Sequence, residues 1–480
     1  MTGRVVVIGN GPVGQSTALL LAKRGVSVVL VDRRPARDPV GSKAICQQRD
    51  VLDIWESVGA GRRIADAGLT WSRARTFHRD RELFCRELTD PGQSPFPPFV
   101  NLSQARTEQI LDELIAQQPL IEVRWDHEVR ELSQDANGVR AGGIAADYAV
   151  LCTGVHGADL RAQLGVSLAG QSFSDRFLIC DLAADLPGWA QERRFHFDPA
   201  GNPGRQVLVH PCPGGTFRID WQIPAGAEPG PAELDEKVRA ILGEVPYRVL
   251  WRSVYRFQSK VADRFLVGRV LLAGDCAHVY SPFGARGLNS GVADAENAAW
   301  KLAHVLDGLA PPGLLETYHL ERRAAALENL AVTSATMDFL VPQDERQRQY
   351  REEVLARAAT DPAAWPLVDS GRLSEPFSYR DSPLTTPGTE GSLIPDFPCV
   401  GTTARQLARL GGLVLTAPGL PITTNLRVVV TDRLAPGAVQ LVRPDAHLAA
   451  ELTRPSTAEL AAAERRMTGQ PASAPLGRST

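Results

Sequence analysis

An apolar strand that stops at a glycine-spaced turn and restarts as a helix constrains this chain more than any other feature. After Arg4, residues Val5 to Ile8 are uniformly apolar, as a strand buried on both faces must be, and Gly9-Asn-Gly11-Pro-Val-Gly14 follows at once. Gln15 to Arg24 has helical periodicity, and Val26 to Val31 is a second apolar strand ending at Asp32. Set between strand and helix, this is the Gly-x-Gly-x-x-Gly fingerprint of a dinucleotide site. Gly9 serves the tight turn, Gly11 lets the backbone approach a pyrophosphate, and Gly14 lets helix and strand pack closely. Pro12 and Val13 open the helix, whose N-terminal N–H groups favour an anion. Asp32 lies 18 residues past Gly14, where a carboxylate meets a ribose hydroxyl. An acid there favours an unphosphorylated ribose, so Arg33 and Arg34 read as exposed loop charges, with Arg33 bordering the cofactor.

A second segment completes the pattern. Val270 to Ala273 is an apolar strand that ends in Gly274-Asp275, and the loop Ser281-Pro282-Phe283-Gly284-Ala-Arg-Gly287-Leu288-Asn289-Ser-Gly291 leads into a long helix beginning near Leu288. Small residues and backbone N–H groups at a helix start suit a negatively charged planar ligand. An NAD-dependent dehydrogenase would use the first segment and leave this one unexplained.

Together the two segments resemble the class A flavoprotein monooxygenases, the single-component aromatic hydroxylases with a 4-hydroxybenzoate hydroxylase-like fold. The second segment is similar to the family pattern through Asp294, Asn297 and Trp300-Lys301-Leu302. Gln104 stands where the family places a flavin-contacting Gln at a helix start, and Ser42-Lys43-Ala44 stands where it has Ser-Arg-Ala. Trp251 to Gly268 leads into the Gly-Asp strand as in the 3-(3-hydroxyphenyl)propionate hydroxylase-like branch. One motif departs: the family's Asp-Gly after the strand at 148–152 is replaced by Thr153-Gly154, with Asp159 nearby. In the family that motif is linked to both flavin and nicotinamide binding, so the replacement bears on reduction by NAD(P)H more than on FAD.

The resemblance implies one FAD held between the segments, with NADPH or NADH and O2 as co-substrates. Asp275 is implied to bind ribityl or ribose hydroxyls. Gly287, Leu288 and Asn289 are implied to face the pyrimidine end, and Pro282, Phe283 and Gly284 to pass the reactive edge. Activity is implied to be hydroxylation of a phenolic or polycyclic aromatic substrate through a flavin C4a-hydroperoxide. Two alternatives stay open. One is an epoxidase, Baeyer–Villiger enzyme or oxidase acting on a polyketide-like intermediate; the other is a flavin-containing binding protein with little turnover.

The expected fold is mixed α/β: a Rossmann-like FAD-binding domain (1–72, 101–170 and 256–340), an antiparallel substrate-domain sheet (73–100 and 171–255), a helical linker (341–384), a thioredoxin-like domain (385–467) and a disordered tail (468–480). Residues 73–100 read as irregular, whereas Arg193–Phe197, Arg205–His210 and Thr216–Ile223 alternate as antiparallel strands do. Arg443-Pro444-Asp445-Ala-His447 reads as the closing motif of the carboxy-terminal domain, for which packing or dimerisation is the expected role. The net charge of −3 gives no footprint for nucleic acid, and no apolar run is long enough to span a bilayer. Seven scattered Cys without a CxxC, and no signal peptide ahead of the first strand, point to a reducing cytoplasm; a monomer or homodimer is the expected assembly. No His spacing suggests a metal.

Candidate bases on or near the substrate sheet are His210, Tyr255 and His196, because a phenol reacts faster as phenolate. For each, a hydrogen-bonded structural side chain is the competing reading. Phe217 and Trp221 are candidates for an aromatic substrate pocket, and strand aromatics are also ordinary core. Ile219-Asp-Trp221-Gln-Ile223-Pro224 partly matches a flavin-dependent halogenase motif but lacks its first Trp, so a halogenase is rejected.

Overall fold

The computed structural model describes residues 3–38, 44–90, 92, 94–281, 283–369 and 375–470. Lys43, Pro282 and the tail from 471, all named above, lie outside the described residues.

Uniformly apolar strands need cover on both faces and so form a parallel sheet between helices. Six strands run in the order Leu266–Val267, Val270–Leu272, Tyr148–Leu151, Arg4–Ile8, Ser27–Val31, Ile121–Arg124. All pairings are parallel except the edge pair Leu266–Val267 with Val270–Leu272. Register sets Val31, Ile8, Leu151 and Leu272 side by side. The carboxyl ends of four strands therefore open along one edge, where open α/β sheets bind ligands. Asp32, Gly9, the Cys152-Thr153 pair and the Ala273-Gly274 pair follow directly from those ends.

Two helices meet behind this edge, Pro12–Lys23 and Arg286–Leu306. The Val13 side chain sits in a notch between two glycines: a Cβ on Gly291 would stand 2.6 Å from its Cγ2, and one on Gly274 3.0 Å. Gly274 also has φ +61, a conformation that favours glycine.

The second layer is an eight-stranded sheet in the order His278–Val279, Tyr247–Ala262, Leu168–Ala184, Thr216–Ile223, Gln206–Cys212, Glu192–Phe197, Arg73–His78, Arg81–Glu87. The last two strands form a hairpin across a stretch expected to be irregular. Its turn places Arg79 and Asp80 at φ 49 and 64 without the Asn or Gly that usually marks such a turn.

One face of this sheet packs Leu178, Val207, Phe217, Ile219 and Trp221 against the helix Pro231–Leu242. The other face looks toward the first domain, where Phe173, Phe177, Phe195, Phe197 and Phe257 meet Met337 and Leu340 of the helix Glu316–Leu340.

Beyond the helix Glu345–Ala358, a four-stranded sheet runs in the order Arg427–Val430, Leu413–Thr416, Ala438–Val442, Leu448–Thr453. One parallel pair beside an antiparallel hairpin, with a following helix Thr457–Met467, is the sheet order of a thioredoxin-like unit. The parallel pair is joined by a non-helical loop, residues 417–426.

Buried ion pairs fasten this unit to the rest. Arg443 binds Glu321 at 2.6 and 2.8 Å and Asp445 at 2.7 and 3.0 Å, and Lys301 binds Glu321 at 2.6 Å. Arg409 bridges Asp53 at 2.7 Å and Glu296 at 2.5 Å. Each of these buried charges has an opposite partner, as burial requires. Among the described residues no helix is long and apolar enough to cross a membrane.

Candidate functional site

Gly9 has φ +110, and a Cβ there would meet the Cys152 carbonyl oxygen at 2.3 Å. A Cβ on Gly14 would stand 1.8 Å from the Gly9 carbonyl oxygen. Both positions thus exclude a side chain for packing reasons. Gly11 differs: no atom lies within 4 Å of its would-be Cβ, and the residue lines an open cavity at the helix start. Bare backbone facing open space beside unpaired helical N–H groups is the cradle a pyrophosphate needs.

Asp32 accepts hydrogen bonds from Asn10 N at 2.8 Å, Arg34 N at 2.9 Å and the Arg34 guanidinium at 2.9 and 3.0 Å. Burial opposes ionisation, yet these bonds hold its carboxyl below the usual range. Arg34 is therefore not the loose loop charge expected; it orients the Asp32 carboxylate. Arg33 is exposed and borders the same cavity.

Gln104 lines the cavity, donates to Glu108 Oε1 at 2.9 Å and accepts from Ala44 N at 3.2 Å. Glu108 pairs with Arg37 at 2.9 Å, and Arg37 reaches back to Asn10 O at 3.0 Å and Asn10 Oδ1 at 2.9 Å. Sequence reasoning missed Arg37 and Glu108. The spacing Gln104, Glu108, Asp112 on one helix face was a usable signal; the Arg37 loop carried none.

The second half-site is braced from behind. Asp294 accepts from Gly274 N at 3.0 Å, His278 Nε2 at 2.6 Å and Arg322 Nε at 2.6 Å, all buried. This fixes the Gly274-Asp275 turn, and Asp275 lines the cavity. Ala285 takes a left-handed conformation (φ 54) that costs a non-glycine residue about 1–2 kcal/mol. Asn289 holds it, donating to Ala285 O at 2.5 Å and Cys46 O at 3.0 Å while accepting from Gln48 N at 3.0 Å. The Asn289 side chain is thus committed to protein backbone. Gly287 and Leu288, in the first turn of the helix, line the cavity. Thr153 and Gly154 line it too, and Asp159 is exposed on the same wall.

Strand alternation decides which side chains reach the second compartment. Leu208, His210, Arg218, Asp220, Ile179, Arg193, Phe195 and Phe197 line it. Phe217 and Trp221, expected in the pocket, point to the opposite face and pack beneath the helix Pro231–Leu242. Tyr255 packs at the edge of the phenylalanine cluster and is not on the cavity wall; His196 also faces away, stacked on Phe77 at 4.5 Å. His210 does line the cavity, and burial with the nearby Arg193 and Arg218 pushes it down to about 3.

Phe283 joins the two compartments. It comes from the Gly-Asp loop yet lies 5.7 Å from Phe177, 6.2 Å from Phe257 and 6.3 Å from Phe195, ring to ring. Gly284 follows with φ +84, also on the cavity wall.

The cavity measures about 1570 Å³. That exceeds the roughly 300–1,000 Å³ of a site for one small molecule, so it has room for a dinucleotide and a second ligand. The bare Gly11 backbone, the oriented Asp32 carboxylate and the helix start at Gly287 fit FAD.

Comparison with known proteins agrees. Residues 2–333 match a family model described as FAD binding domain. The 3-(3-hydroxy-phenyl)propionate/3-hydroxycinnamic acid hydroxylase of Mycobacterium sp. (strain KMS) is 29% identical over 369 residues, covering 75% of this chain and 63% of that protein. This chain therefore matches less than two thirds of that relative's length. The flavin-dependent monooxygenase PieE, solved with FAD and substrate, superposes with a TM-score of 0.84 at 22% identity over 98% of this chain and 100% of that one. The Diels-Alderase PyrE3 of the pyrroindomycin pathway gives a TM-score of 0.73 at 27% identity over 98% and 100%. With more than half of its length inside the family model, the chain belongs to the FAD-binding domain family.

Proposed function

We propose that this protein is an FAD-dependent monooxygenase that hydroxylates a phenolic or polycyclic aromatic substrate, using O2 and NAD(P)H. The observation that carries the reading is one continuous cavity with two unlike halves, a dinucleotide cradle and a compartment walled by Phe195, Phe197, Phe283 and Phe339. Bound FAD supplies electron storage and oxygen activation. Gly11, Asp32, Gln104, Asp275 and the helix start at Gly287 hold it, and the phenylalanines keep water from the reacting centre. The relative named as a hydroxyphenyl-compound hydroxylase supports an aromatic substrate.

We assign the FAD domain to 1–72, 101–170 and 256–340, and the substrate sheet to 73–100 and 171–255. All seven cysteines are unpaired, which favours a reducing cytoplasm.

The test is to purify the yellow protein and mix it anaerobically with NADPH, then NADH. Bleaching accelerated by a phenol, with hydroxylated product after oxygen is admitted, is the expected result. Thr153 in place of the family's Asp favours a second reading. In it the flavin is structural and the cavity shapes a natural-product intermediate without redox turnover, a reading that the similarity to a Diels-Alderase also supports. Protein that neither nicotinamide bleaches, with no product in air, would replace the first reading by the second.

A further inference from the structure

The sheet face that floors the cavity is organised in rows. Register aligns Ile179, Asp220, Leu208, Phe195 and Thr76 across four strand pairings. The neighbouring row holds Asp181, Arg218 and His210, with Arg193 opposite Ala74 further along. In the polar row the charges are paired, while His210 Nδ1 has no hydrogen-bond partner among the described residues. Arg218 clamps Asp181 through Nε at 2.8 Å and Nη2 at 2.9 Å, and Arg193 pairs with Asp369.

Asp220 is a carboxyl set in the more apolar row, between Ile179 and Leu208. It lines the cavity, and its buried Oδ1 has no hydrogen-bond partner among the described residues. Leaving a carboxyl oxygen unpaired in such a place is costly. A neutral ligand donor such as a hydroxyl satisfies it without adding charge.

We propose that Asp220 accepts the hydroxyl proton of the substrate. The inference rests on the hydroxylase reading of the cavity. The substrate O–H bond breaks and its proton forms an O–H bond on the Asp220 carboxylate. The electron pair stays on the substrate oxygen, enriching the ortho and para carbons that are to be hydroxylated. No oxidant or reductant takes part in this step, and Asp220 returns the proton to water when product leaves.

Electrostatics separates Asp220 from His210, the base suggested by the sequence. His210 lies beside two guanidiniums and is held neutral with little affinity for a proton. Burial pushes Asp220 up to about 7, Arg218 opposing and Asp181 adding. A base whose pKa lies near the working pH is the effective one. The other titratable groups acting here are the thiols of Cys180 and Cys212, each within electrostatic reach of Asp220. Arg193 and Asp369 stand on the same wall, and Glu328 and Glu375 line the cavity as well.

The experiment uses the holoenzyme with a series of phenols of decreasing pKa. For a phenol of pKa about 10, Asp220→Asn is expected to slow product formation about 10²-fold or more. A nitrophenol already ionised in the assay is expected to lose less than about 3-fold, because it has no proton to give. The wild-type pH profile of kcat/KM is expected to rise through a limb near 7 that D220N lacks. A merely structural role would slow every phenol alike.

Equal losses across the series, or an unchanged limb in D220N, overturns the proposal and leaves the hydroxylase reading standing. Wild-type protein that hydroxylates no phenol overturns both. If D220N fails to retain flavin, Asp220→Glu takes its place: a displaced limb is expected, and an unmoved one overturns the proposal.

Discussion

Replacing Asp294 probes how the Gly-Asp half of the cofactor site is held. The residue is fully buried and takes three hydrogen bonds, from Gly274 N at 3.0 Å and from His278 Nε2 and Arg322 Nε at 2.6 Å each. Burial alone would raise its pKa, yet His278 and Arg322 hold it down to about 2. Against an ordinary value of 3.8, that difference corresponds to about 2 kcal/mol of stabilisation by the ionised form. Asp294→Ala removes this and strands Arg322, which among the described residues keeps the Tyr379 hydroxyl at 2.8 Å and Ser290. Removing one partner of a buried pair costs about 3–5 kcal/mol, a large part of the 5–15 kcal/mol that holds a typical domain folded.

The Gly274 N–H also loses its acceptor, so flavin affinity should fall with stability. Urea unfolding followed by flavin release and by tryptophan fluorescence reads both. The folded pKa lies below the unfolded one, so the contribution is complete above about pH 4 and is lost as pH falls toward 2. The gap between wild type and variant should close over that window. A variant that keeps its flavin and unfolds within about 0.5 kcal/mol of wild type at neutral pH, the range of an ordinary surface substitution, would refute the reasoning.

Gly14→Ala puts a Cβ 1.8 Å from the Gly9 carbonyl oxygen, a backbone atom with no room to retreat, so it should purify with little flavin by absorbance ratio. Asp32→Asn leaves the Arg34 guanidinium facing a neutral amide. Loss of a charged hydrogen bond of about 1.5–3 kcal/mol should weaken FAD binding about 10- to 100-fold in a titration of apoprotein. Trp221→Ala should cost about 3–5 kcal/mol in thermal or urea unfolding without changing the product, because the ring lies under the helix Pro231–Leu242. Phe195→Ala, on the cavity side, should alter product distribution or the coupling of NAD(P)H oxidation to product.

The contrast between Trp221 and Phe195 shows where sequence reading works and where it stops. The dinucleotide half was legible because its parts are contiguous: strand, glycine turn and helix follow one another, and the residues after four strand ends meet by register alone. The substrate half depends on which side of a strand faces the cavity. In Thr216–Ile223, alternation separates Phe217, Ile219 and Trp221 from Arg218, Asp220 and Gln222. Period two reveals both faces and labels neither. The habit of sending apolar residues inward is satisfied here by the helix Pro231–Leu242, and the polar face is left to floor the cavity. The hairpin Arg73–Glu87 escaped notice for a different reason, since its turn uses Arg79 and Asp80 where Asn-Gly would have announced it.

The carboxy-terminal unit was recognisable by its strands, but its attachment was not, because the partners lie more than a hundred residues apart in the chain. Arg443 packs 4.6 Å from the ring of Tyr379, whose hydroxyl accepts from Arg322 at 2.8 Å, and Arg322 in turn binds Asp294 behind Gly274. A continuous path of buried polar contacts thus runs from the closing motif of the last sheet to the turn that carries Asp275. The family model ends at residue 333, short of Tyr379, Arg443 and Asp445. Buried charges this closely paired are strongly destabilising to break one at a time. Tyr379 and Arg443 therefore act on the cofactor site from behind, through Asp294, without lining the cavity themselves.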